Sequence, residues 1–198
     1  MVDLTEQLDR IGKNVMTTYP SDKIRRLFFK IPLILWRLGL GPILGRYLVV
    51  LTTWGRKSGL ARHTMLEYFT WRGKIYVICA WPKSDWYKNL SADPHVTIQT
   101  WQGAERMLAT RVTDDEELMK ILDMVQEREP KLIEWYFEDE GVRPTHEEIL
   151  AHKERFHVVR FDPTVERTPL PLRVDLAWLW PAAMLVMTLL GKRRRSRT

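Results

Sequence analysis

The chain has 198 residues, of which 45% are hydrophobic and 28% are charged, enough apolar content for one substantial core with extensions. A single cysteine, Cys79, excludes an intramolecular disulfide and any zinc site built from several cysteines. Its apolar neighbours indicate a buried, unreactive thiol. The net charge is +6, but five cations lie in the tail at 192–197, so the body of the chain is close to neutral. This distribution does not indicate a nucleic-acid-binding protein.

The first 45 residues are predicted to form helices and an apolar cover. The spacing of apolar residues predicts one amphipathic helix before residue 16 and a second that begins near Ser21 or Asp22. The chain from Leu27 to Leu51 is mostly apolar, but prolines and glycines interrupt it, so we do not expect a transmembrane helix. This stretch is expected either to lie against a membrane or to cover the mouth of a barrel.

Residues 46–113 are predicted to be β-structure, because apolar and β-branched runs alternate with short glycine turns. The predicted strands are Tyr47 to Thr53, Arg62 to Thr70, Lys74 to Cys79, His95 to Trp101 and Ala104 to Val112. Within the fourth, Val96 and Ile98 alternate with polar residues, which is typical of a half-buried strand.

Helices are predicted after these strands, followed by one last strand. Two capping boxes open helices, and Pro130 to Asp139 predicts another. The capping pairs are Thr113 with Glu116 and Thr145 with Glu148. The alternating run from Phe156 to Phe161 predicts the last strand. Because helices do not alternate with strands, the pattern predicts an α+β, mainly β fold with a small antiparallel barrel or half-barrel. We place this domain at residues 46–162, with a linker, an apolar segment and a basic tail at 163–198.

Familiar hydrolase and zinc-protease signatures are missing from the sequence. There is no G-x-S-x-G and no H-E-x-x-H motif. His146, His152 and His157 are spaced by six and five residues, so they do not share a helix face as metal ligands would. We therefore predict no metal site and no catalytic side chain.

The segment from Thr52 to Arg62 carries the sharpest local signal. Gly55 and Gly59 permit tight bends whose N–H groups can converge on an anion. The polar side chains in this segment are Arg56, Lys57, Ser58 and Arg62. It is not a P-loop, because the G-K-[ST] order and the following helix are missing. The residues alone leave two interpretations open, a phosphate or carboxylate cradle and a basic hairpin on the surface.

A second signal runs from Trp81 to Pro94 and predicts a turn, a short helix and a proline stop. Trp86 and Tyr87 are suited to wall a planar ring. The alternative is structural, since Trp86 and Leu90, four residues apart, would pin this helix to the barrel.

Together, the two segments resemble the deazaflavin-dependent nitroreductase family. The resembling residues are Leu51-Thr52-Thr53-x-Gly55-Arg56-Lys57-Ser58-Gly59, then Arg62, then Asp85-Trp86-Tyr87-x-Asn89-Leu90 and Ala92-x-Pro94-x-Val96. The similar region covers roughly Ile31 to Val112. This resemblance implies a split antiparallel β-barrel with flanking helices that binds the deazaflavin coenzyme F420, with FMN as the alternative cofactor.

The resemblance also implies which residues bind the cofactor. Its phosphate would be held by Arg56, Lys57 and Ser58, with Arg62 beside them. The other implied contacts are His63, Thr64, Met65 and Leu66 along the ribityl chain and ring, Ile78, Cys79, Ala80 and Trp81 beside the deazaflavin, and Asp85, Trp86, Tyr87, Lys88 and Asn89 over its other side. The nearest candidates for substrate contacts are Trp135 and Tyr136.

Three functional hypotheses follow. Hydride transfer needs no protein nucleophile, because the cofactor carries the reaction. The first hypothesis is therefore an oxidoreductase that passes hydride from reduced F420 to a quinone or a nitroaromatic acceptor. The second is a non-catalytic or differently loaded barrel that binds FMN, haem or a fatty-acyl ligand. The third is membrane tethering without a ligand.

The third hypothesis depends on the C-terminal segment. Leu176 to Gly191 is apolar apart from Thr188, with Trp178 and Trp180 at one end and the basic tail at the other, as at membrane interfaces. As a helix it would span roughly 24 Å, short of the ~30 Å hydrocarbon core. It is expected to span, to lie on the membrane, or to pack on protein. We expect a location on the cytoplasmic side of the membrane, a small-molecule or lipid-soluble acceptor and a possible homodimer.

Overall fold

A computed structural model describes residues 30–182 together with Met184 and Met187. The two amphipathic helices predicted before residue 29 and the basic tail lie outside the described residues. The described chain begins with the short helices α1 (Ile31–Leu35) and α2 (Gly41–Leu44), separated by a π-helical turn at Trp36–Leu40. Gly39 has a φ of +94° and breaks the helical path there. None of the helices in the described part has both the length and the apolar character needed to cross a bilayer.

Seven strands form one antiparallel sheet. They are β1 (Leu48–Trp54), β2 (Ala61–Glu67), β3 (Phe69–Trp71), β4 (Lys74–Ile78), β5 (His95–Thr100), β6 (Gly103–Arg111) and β7 (Val158–Pro163). Their order across the sheet is β2-β1-β5-β6-β7-β4-β3. The helices α3 (Asp85–Ala92), α4 (Asp115–Arg128), α5 (Pro130–Glu140) and α6 (His146–Ala151) flank it. The α+β fold with an antiparallel sheet is therefore confirmed.

The sheet curls strongly, because its two edge strands are neighbours in sequence. β2 and β3 lie at opposite ends of the strand order, yet only Tyr68 separates them. A flat sheet of seven strands would hold its edges roughly 29 Å apart, whereas one residue spans about 3.5 Å. The hydrogen-bonded ladder does not close between these edges in the described chain.

The prediction of one strand from Arg62 to Thr70 was wrong. The chain leaves the β2 ladder at Tyr68, whose buried hydroxyl donates to the carbonyls of Gly45 and Arg46 at 3.1 and 3.3 Å. This long-range contact has no local pattern in the sequence. The turn after β3 was predicted correctly, with positive φ at Arg72 and Gly73.

Two hydrophobic clusters lie on opposite faces of the sheet. In β4, the side chains of Ile75 and Val77 point to the inside of the curl, whereas Tyr76 and Ile78 pack against the helices. The inner cluster also includes Leu90 of α3. The curl therefore places α3 against the inner core, and α4 to α6 cover the other core.

Of the two predicted N-caps, Thr145 is correct, whereas Thr113 is one residue too early. Thr145 caps α6 by accepting from the Glu148 N–H. For α4 the N-cap is Asp114, not Thr113, because the Asp114 carboxylate accepts from the Glu117 N–H at 2.8 Å. Aspartate and threonine both serve at this position, so the local pattern does not distinguish the two registers.

The prediction of a half-buried β5 was incomplete. Thr97 and Gln99 are 3% and 7% exposed, so both faces of the strand are covered. The cover is the extended segment after β7, residues 164–176, which we call the C-terminal strap. Thr97 Oγ1 donates to the Pro169 carbonyl at 2.5 Å, and Gln99 exchanges two hydrogen bonds with the Leu172 backbone.

Candidate functional site

The loop between β1 and β2, residues 55–60, forms a tight turn held by its own backbone. Gly55 N–H donates to the Leu60 carbonyl at 2.8 Å, and the N–H groups of Ser58 and Gly59 donate to the Gly55 carbonyl. A Cβ at position 55 would lie 2.8 Å from Ser58 Oγ and 3.1 Å from the Leu60 carbonyl oxygen. A glycine is therefore required at position 55. Gly59, at a φ of +64°, suits the same turn.

This loop docks onto the start of α3 through Arg56. The Arg56 guanidinium donates to Asp85 Oδ1 and to Asn89 Oδ1, each at 2.9 Å, and its backbone N–H donates to Asn89 Oδ1 at 3.2 Å. Asn89, which is 4% exposed, donates in turn to Thr53 Oγ1 at 3.3 Å. The fold therefore joins the two segments that the sequence singles out.

The anion-binding capacity of the loop lies in side chains, not in its backbone. The expectation that N–H groups of the loop converge on an anion was wrong, because those of Gly55, Arg56, Ser58 and Gly59 are bonded within the protein. Lys57 and Arg62 are exposed, and within the described residues neither forms an ion pair with a carboxylate. Arg62 donates to Ser58 Oγ at 3.2 Å. Two cations and one hydroxyl are thus available to an anion.

The four predicted contacts on β2 do not share a face. His63 and Met65 pair with Thr52 and Val50 on the outer face, whereas Thr64 and Leu66 pair with inward-facing residues of β1. This follows from the two-residue period of a strand. A ligand on one face of β2 would contact only one of these two pairs through side chains.

His63 is a half-buried group on that outer face. Its Nδ1 lies 3.0 Å from Thr52 Oγ1. Burial, with a smaller effect of the Arg37 charge, lowers the pKa of His63. The helix α1 packs on β2, so the N-terminal cover contributes to this burial.

The chain after β4 leads directly to α3. Cys79 is fully buried and its N–H donates to the His157 carbonyl at 2.8 Å. Burial raises the pKa of Cys79 to about 12, so the thiol is protonated and unreactive at neutral pH, as its apolar neighbours predict. Ile78 packs against the helical core, as does Ala80, and Trp81 is half-buried.

Two aromatic side chains of α3 lie over the inner core. Trp86 and Tyr87 pack on the cluster that contains Leu90, and their rings meet edge to face with centroids 5.7 Å apart. Tyr87 Oη lies 3.1 Å from Nδ1 of His157. Burial raises the pKa of Tyr87 and lowers that of His157, with the Arg111 charge adding to the second shift. The pinning of α3 is confirmed, and the His157 contact fixes the Tyr87 ring.

His157 was missed as a site residue by the sequence analysis. It lies just before β7, far along the chain from α3. Its only signal in the sequence was an alternating pattern that placed it in a strand. The remaining residues of the predicted set, Asp85 and Lys88, are exposed on α3.

The predicted substrate residues lie in α5. Tyr136 is 7% exposed; its hydroxyl donates to the Arg155 carbonyl and its ring meets Phe156. Burial raises the pKa of Tyr136, with smaller contributions from Glu140, Cys79 and Tyr87. Tyr136 therefore lies near Cys79 and Tyr87, but its side chain is buried. Trp135 is half-buried.

A cavity of about 840 Å³ lies on the outer face of the sheet, beneath the C-terminal strap. None of the predicted cofactor or substrate residues is among those that line it. The lining comes from the end of β1 and start of β2, from β5 and β6, and from strap residues 165–171. Among the residues the structure describes, no cluster of three or more potential metal ligands occurs.

The sequence matches the family model of the F420H(2)-dependent quinone reductases over residues 40–136. This region contains both motifs, the joined loop and α3, and the β2 strand between them. No curated protein matches the chain.

Solved structures share the fold only loosely. An F420-H2-dependent reductase (FDR-A) is 20% identical, with a TM-score of 0.43, and the match covers 59% of this chain and 95% of that one. The haem storage protein HutZ from Vibrio cholerae is 16% identical, with a TM-score of 0.41 and coverage of 73% and 97%. An FAD-binding protein from Mesorhizobium loti is 15% identical, with a TM-score of 0.40 and coverage of 60% and 81%. Of these comparisons, only the match to the family model therefore supports an argument about function.

Proposed function

Because residues 40–136 belong to the family of F420H(2)-dependent quinone reductases, we propose that this oxidoreductase reduces a lipid-soluble quinone at a membrane surface. Its cofactor is coenzyme F420, as the family assignment states, and FMN is not needed to account for the site. The observation that carries the proposal is the docked loop, because it joins into one surface the two motifs on which the family resemblance rests.

The side chains at this surface suit the chemistry of the coenzyme. Lys57 and Arg62 supply cations without a carboxylate partner in the described chain, and Ser58 supplies a hydroxyl. Such a donor set matches a phosphate. Gly55 supports the same assignment, because a Cβ at this position would lie 2.8 Å from Ser58 Oγ and 3.2 Å from Arg62 Cγ. A larger residue would therefore displace the Ser58 hydroxyl from Arg62. Arg56 acts here as a positioning residue, because Asp85 and Asn89 occupy its guanidinium.

When bound, reduced F420 supplies the hydride. The protein residues would bind, orient and shield. Lys57, Ser58 and Arg62 would hold the phosphate, and Trp86 and Tyr87 would wall the ring region. The hydrogen bond between the Tyr87 hydroxyl and Nδ1 of His157 would hold that wall in one orientation. No acid, base or nucleophile is required of the chain at this step.

A curled sheet whose edges meet without a closed ladder supports the finer assignment of a split β-barrel. The short β3 leaves the edge of β2 facing β4, which β2 contacts without ladder pairing, and α3 packs against β1 and β2. We propose the opening between β2 and β4 as the entrance for the acceptor.

Membrane contact is supported by exposed apolar side chains on the two terminal segments. Ile43 and Tyr47 are 65% and 64% exposed beside α2, and Trp178 is 63% exposed. Bonds from the Trp180 indole to the Leu38 carbonyl at 2.8 Å and from Arg37 to Asp175 join these segments. With the basic tail beyond them, such a surface suits anionic lipid headgroups.

Titration of the purified full chain with F420, followed by tryptophan quenching, tests the coenzyme assignment. We expect saturable binding that weakens roughly tenfold or more in Lys57→Ala, because one charge-assisted contact to the phosphate is lost. Lys120→Ala is the matched control, since Lys120 is exposed on α4. FMN in a parallel titration should bind more weakly. Unchanged F420 affinity in Lys57→Ala would contradict the placement of the phosphate.

The acceptor is tested with reduced F420 and a long-chain quinone held in vesicles. Turnover should be faster with anionic than with neutral vesicles, and glutamine in place of the five tail cations should remove that difference. F420 binding should survive this change. Equal turnover in both vesicles would contradict the membrane part of the proposal while leaving the coenzyme assignment intact.

A further inference from the structure

The outer cavity has a floor of sheet residues and a wall made by the strap. In the strand register, Trp54 pairs with Ala61 and Thr97 pairs with Arg106. Partners directly opposite in an antiparallel pair project to the same side, and all four line the cavity. The floor is therefore built from two strand pairs, β1 with β2 and β5 with β6, that are distant from each other in sequence.

The wall is fixed in place by side chains of the sheet. Thr97 Oγ1 contacts Thr168 Oγ1 at 2.7 Å and the Pro169 carbonyl at 2.5 Å. Gln99 exchanges hydrogen bonds of 3.1 and 2.6 Å with the Leu172 backbone. The strap thus forms one side of an open groove of about 840 Å³, within the range of small-molecule sites.

Most of the lining is apolar. Leu60, Val165 and Leu170 are 63%, 93% and 79% exposed. They border the cavity together with Trp54 and Pro171. Large apolar side chains grouped around one cavity are a mark of a binding site, because each is costly to leave in water.

Two arginines line the cavity. Within the described chain, Arg106 and Arg167 have no carboxylate partner, and the Arg167 guanidinium lies 5.9 Å from the Trp54 ring centroid. Glu105 also borders the cavity, but it pairs with Ile98, so the strand alternation directs it to the opposite face of β6 from Arg106. The charged lining is therefore two arginines against one glutamate, which favours an anionic ligand.

We propose that this cavity binds a single-chain amphiphile with an anionic head group, a carboxylate or a phosphate monoester. Arg106 and Arg167 hold the head by charge-assisted hydrogen bonds. The apolar lining receives the chain. No side chain of the predicted coenzyme set lines this site, but Gly59 and Leu60 of the loop do, so the two sites are neighbours that use different side chains.

Quenching by 2-bromododecanoate tests the proposal on the full chain in a neutral detergent, because bromine quenches only tryptophans that it contacts. Its bromine lies next to the carboxylate, and Arg167, which would hold that carboxylate, lies over Trp54. We expect saturable quenching that is lost in Trp54→Phe. Arg106→Gln and Arg167→Gln should each weaken binding roughly tenfold, and 2-bromododecanol, which has no negative charge, should bind wild type no more tightly than the acid binds these variants. Bromododecyl phosphate distinguishes a phosphate from a carboxylate preference. Arg173→Gln, an exposed strap arginine outside the lining, is the matched control and should leave the affinity unchanged.

Three results would overturn the proposal, with circular dichroism confirming that each variant is folded. They are equal affinity for the acid and the alcohol, unchanged affinity in both arginine variants, and quenching that persists in Trp54→Phe. A dimer in sedimentation that dissociates as the acid binds would also overturn it, since a second copy would then be the natural occupant. Lys57→Ala should leave this quenching unchanged, which separates the outcome from that of the coenzyme test.

Discussion

The docked loop and the outer cavity are built in opposite ways. The loop is closed by hydrogen bonds among residues 55–60 and is attached by one arginine to one helix. The cavity is assembled from segments that start at Trp54 and end at Pro171. Glycines and cations at fixed spacing therefore reveal the loop, whereas nothing local reveals the cavity. A site encoded within a dozen residues can be recognised in a sequence, but one made by packing needs the fold.

Because the loop and the cavity are held together by different contacts, we expect a substitution in one region to leave the other largely intact. Damage to Asn89 should disturb the coenzyme surface, and damage to the strap should disturb the cavity. Each of the following changes tests whether the two regions are independent, beginning with the largest expected effect.

Asn89→Leu removes the side chain that joins the loop to the sheet. It leaves the Arg56 backbone N–H and the buried Thr53 hydroxyl without this partner. The free energy of unfolding should fall by about 2–4 kcal/mol, since buried unpaired polar groups are costly, as measured by urea unfolding. F420 affinity should fall with it.

Ser91→Leu is the control for this change, because Ser91 is exposed on the same helix and lies outside the predicted coenzyme contacts. Its effect should stay within about 0.5 kcal/mol. If Asn89→Leu leaves both stability and F420 affinity at the wild-type level, the loop is not held by this residue, and the comparison between the two regions fails.

The sequence predicts the elements that depend on local pattern and misses those that depend on distant contacts. The helices α4 to α6, the glycine turns and the loop follow from capping, periodicity and positive φ. The break at Tyr68 does not, because its hydroxyl partners lie more than 20 residues earlier. The covered outer face of β5 was missed for the same reason.

Within the candidate site, residue identity was easier to predict than role. Arg56 carries the expected charge, but Asp85 and Asn89 neutralise or occupy it. Strand alternation places His63 and Thr64 on opposite faces, although a contiguous set was predicted. The contacts implied for the coenzyme remain predictions, as do the domain bounds, the homodimer and the location in the cell.

Gln99→Leu tests the strap side and should have a smaller effect. It removes two hydrogen bonds to the Leu172 backbone, but water can reach that half-buried segment and partly replace them. We expect a loss of about 1–2 kcal/mol in the free energy of unfolding and faster amide exchange in the strap. Affinity for 2-bromododecanoate should fall while F420 affinity stays within about threefold, because Gln99 contacts no residue of the coenzyme set. Loss of both affinities would mean that the two regions are coupled.

The smallest expected effect concerns His95, which ties the strap to the sheet end. Its Nδ1 lies 2.8 Å from Asp93 Oδ1 and its Nε2 lies 2.6 Å from Glu166 Oε2. The hydrogen bond to Asp93, followed by the charge of Glu166, raises the pKa of His95. A raised pKa means that the protonated ring stabilises the folded chain. This contribution is complete below the ordinary histidine pKa of about 6.5 and is lost as pH rises through the raised value.

The comparison of wild type with His95→Gln isolates that contribution. The wild-type advantage in the free energy of unfolding should be below about 1 kcal/mol, because the pair is largely solvent-exposed, and should shrink as the pH rises above about 6.5. His63 and His157 act in the opposite direction, since burial lowers their pKa and their charging at low pH destabilises the fold. Both proteins retain those two histidines, so their effect cancels in the difference. An advantage that grows with pH would show that the ring holds the strap in its neutral form, and the cavity wall would then be tightest under alkaline conditions.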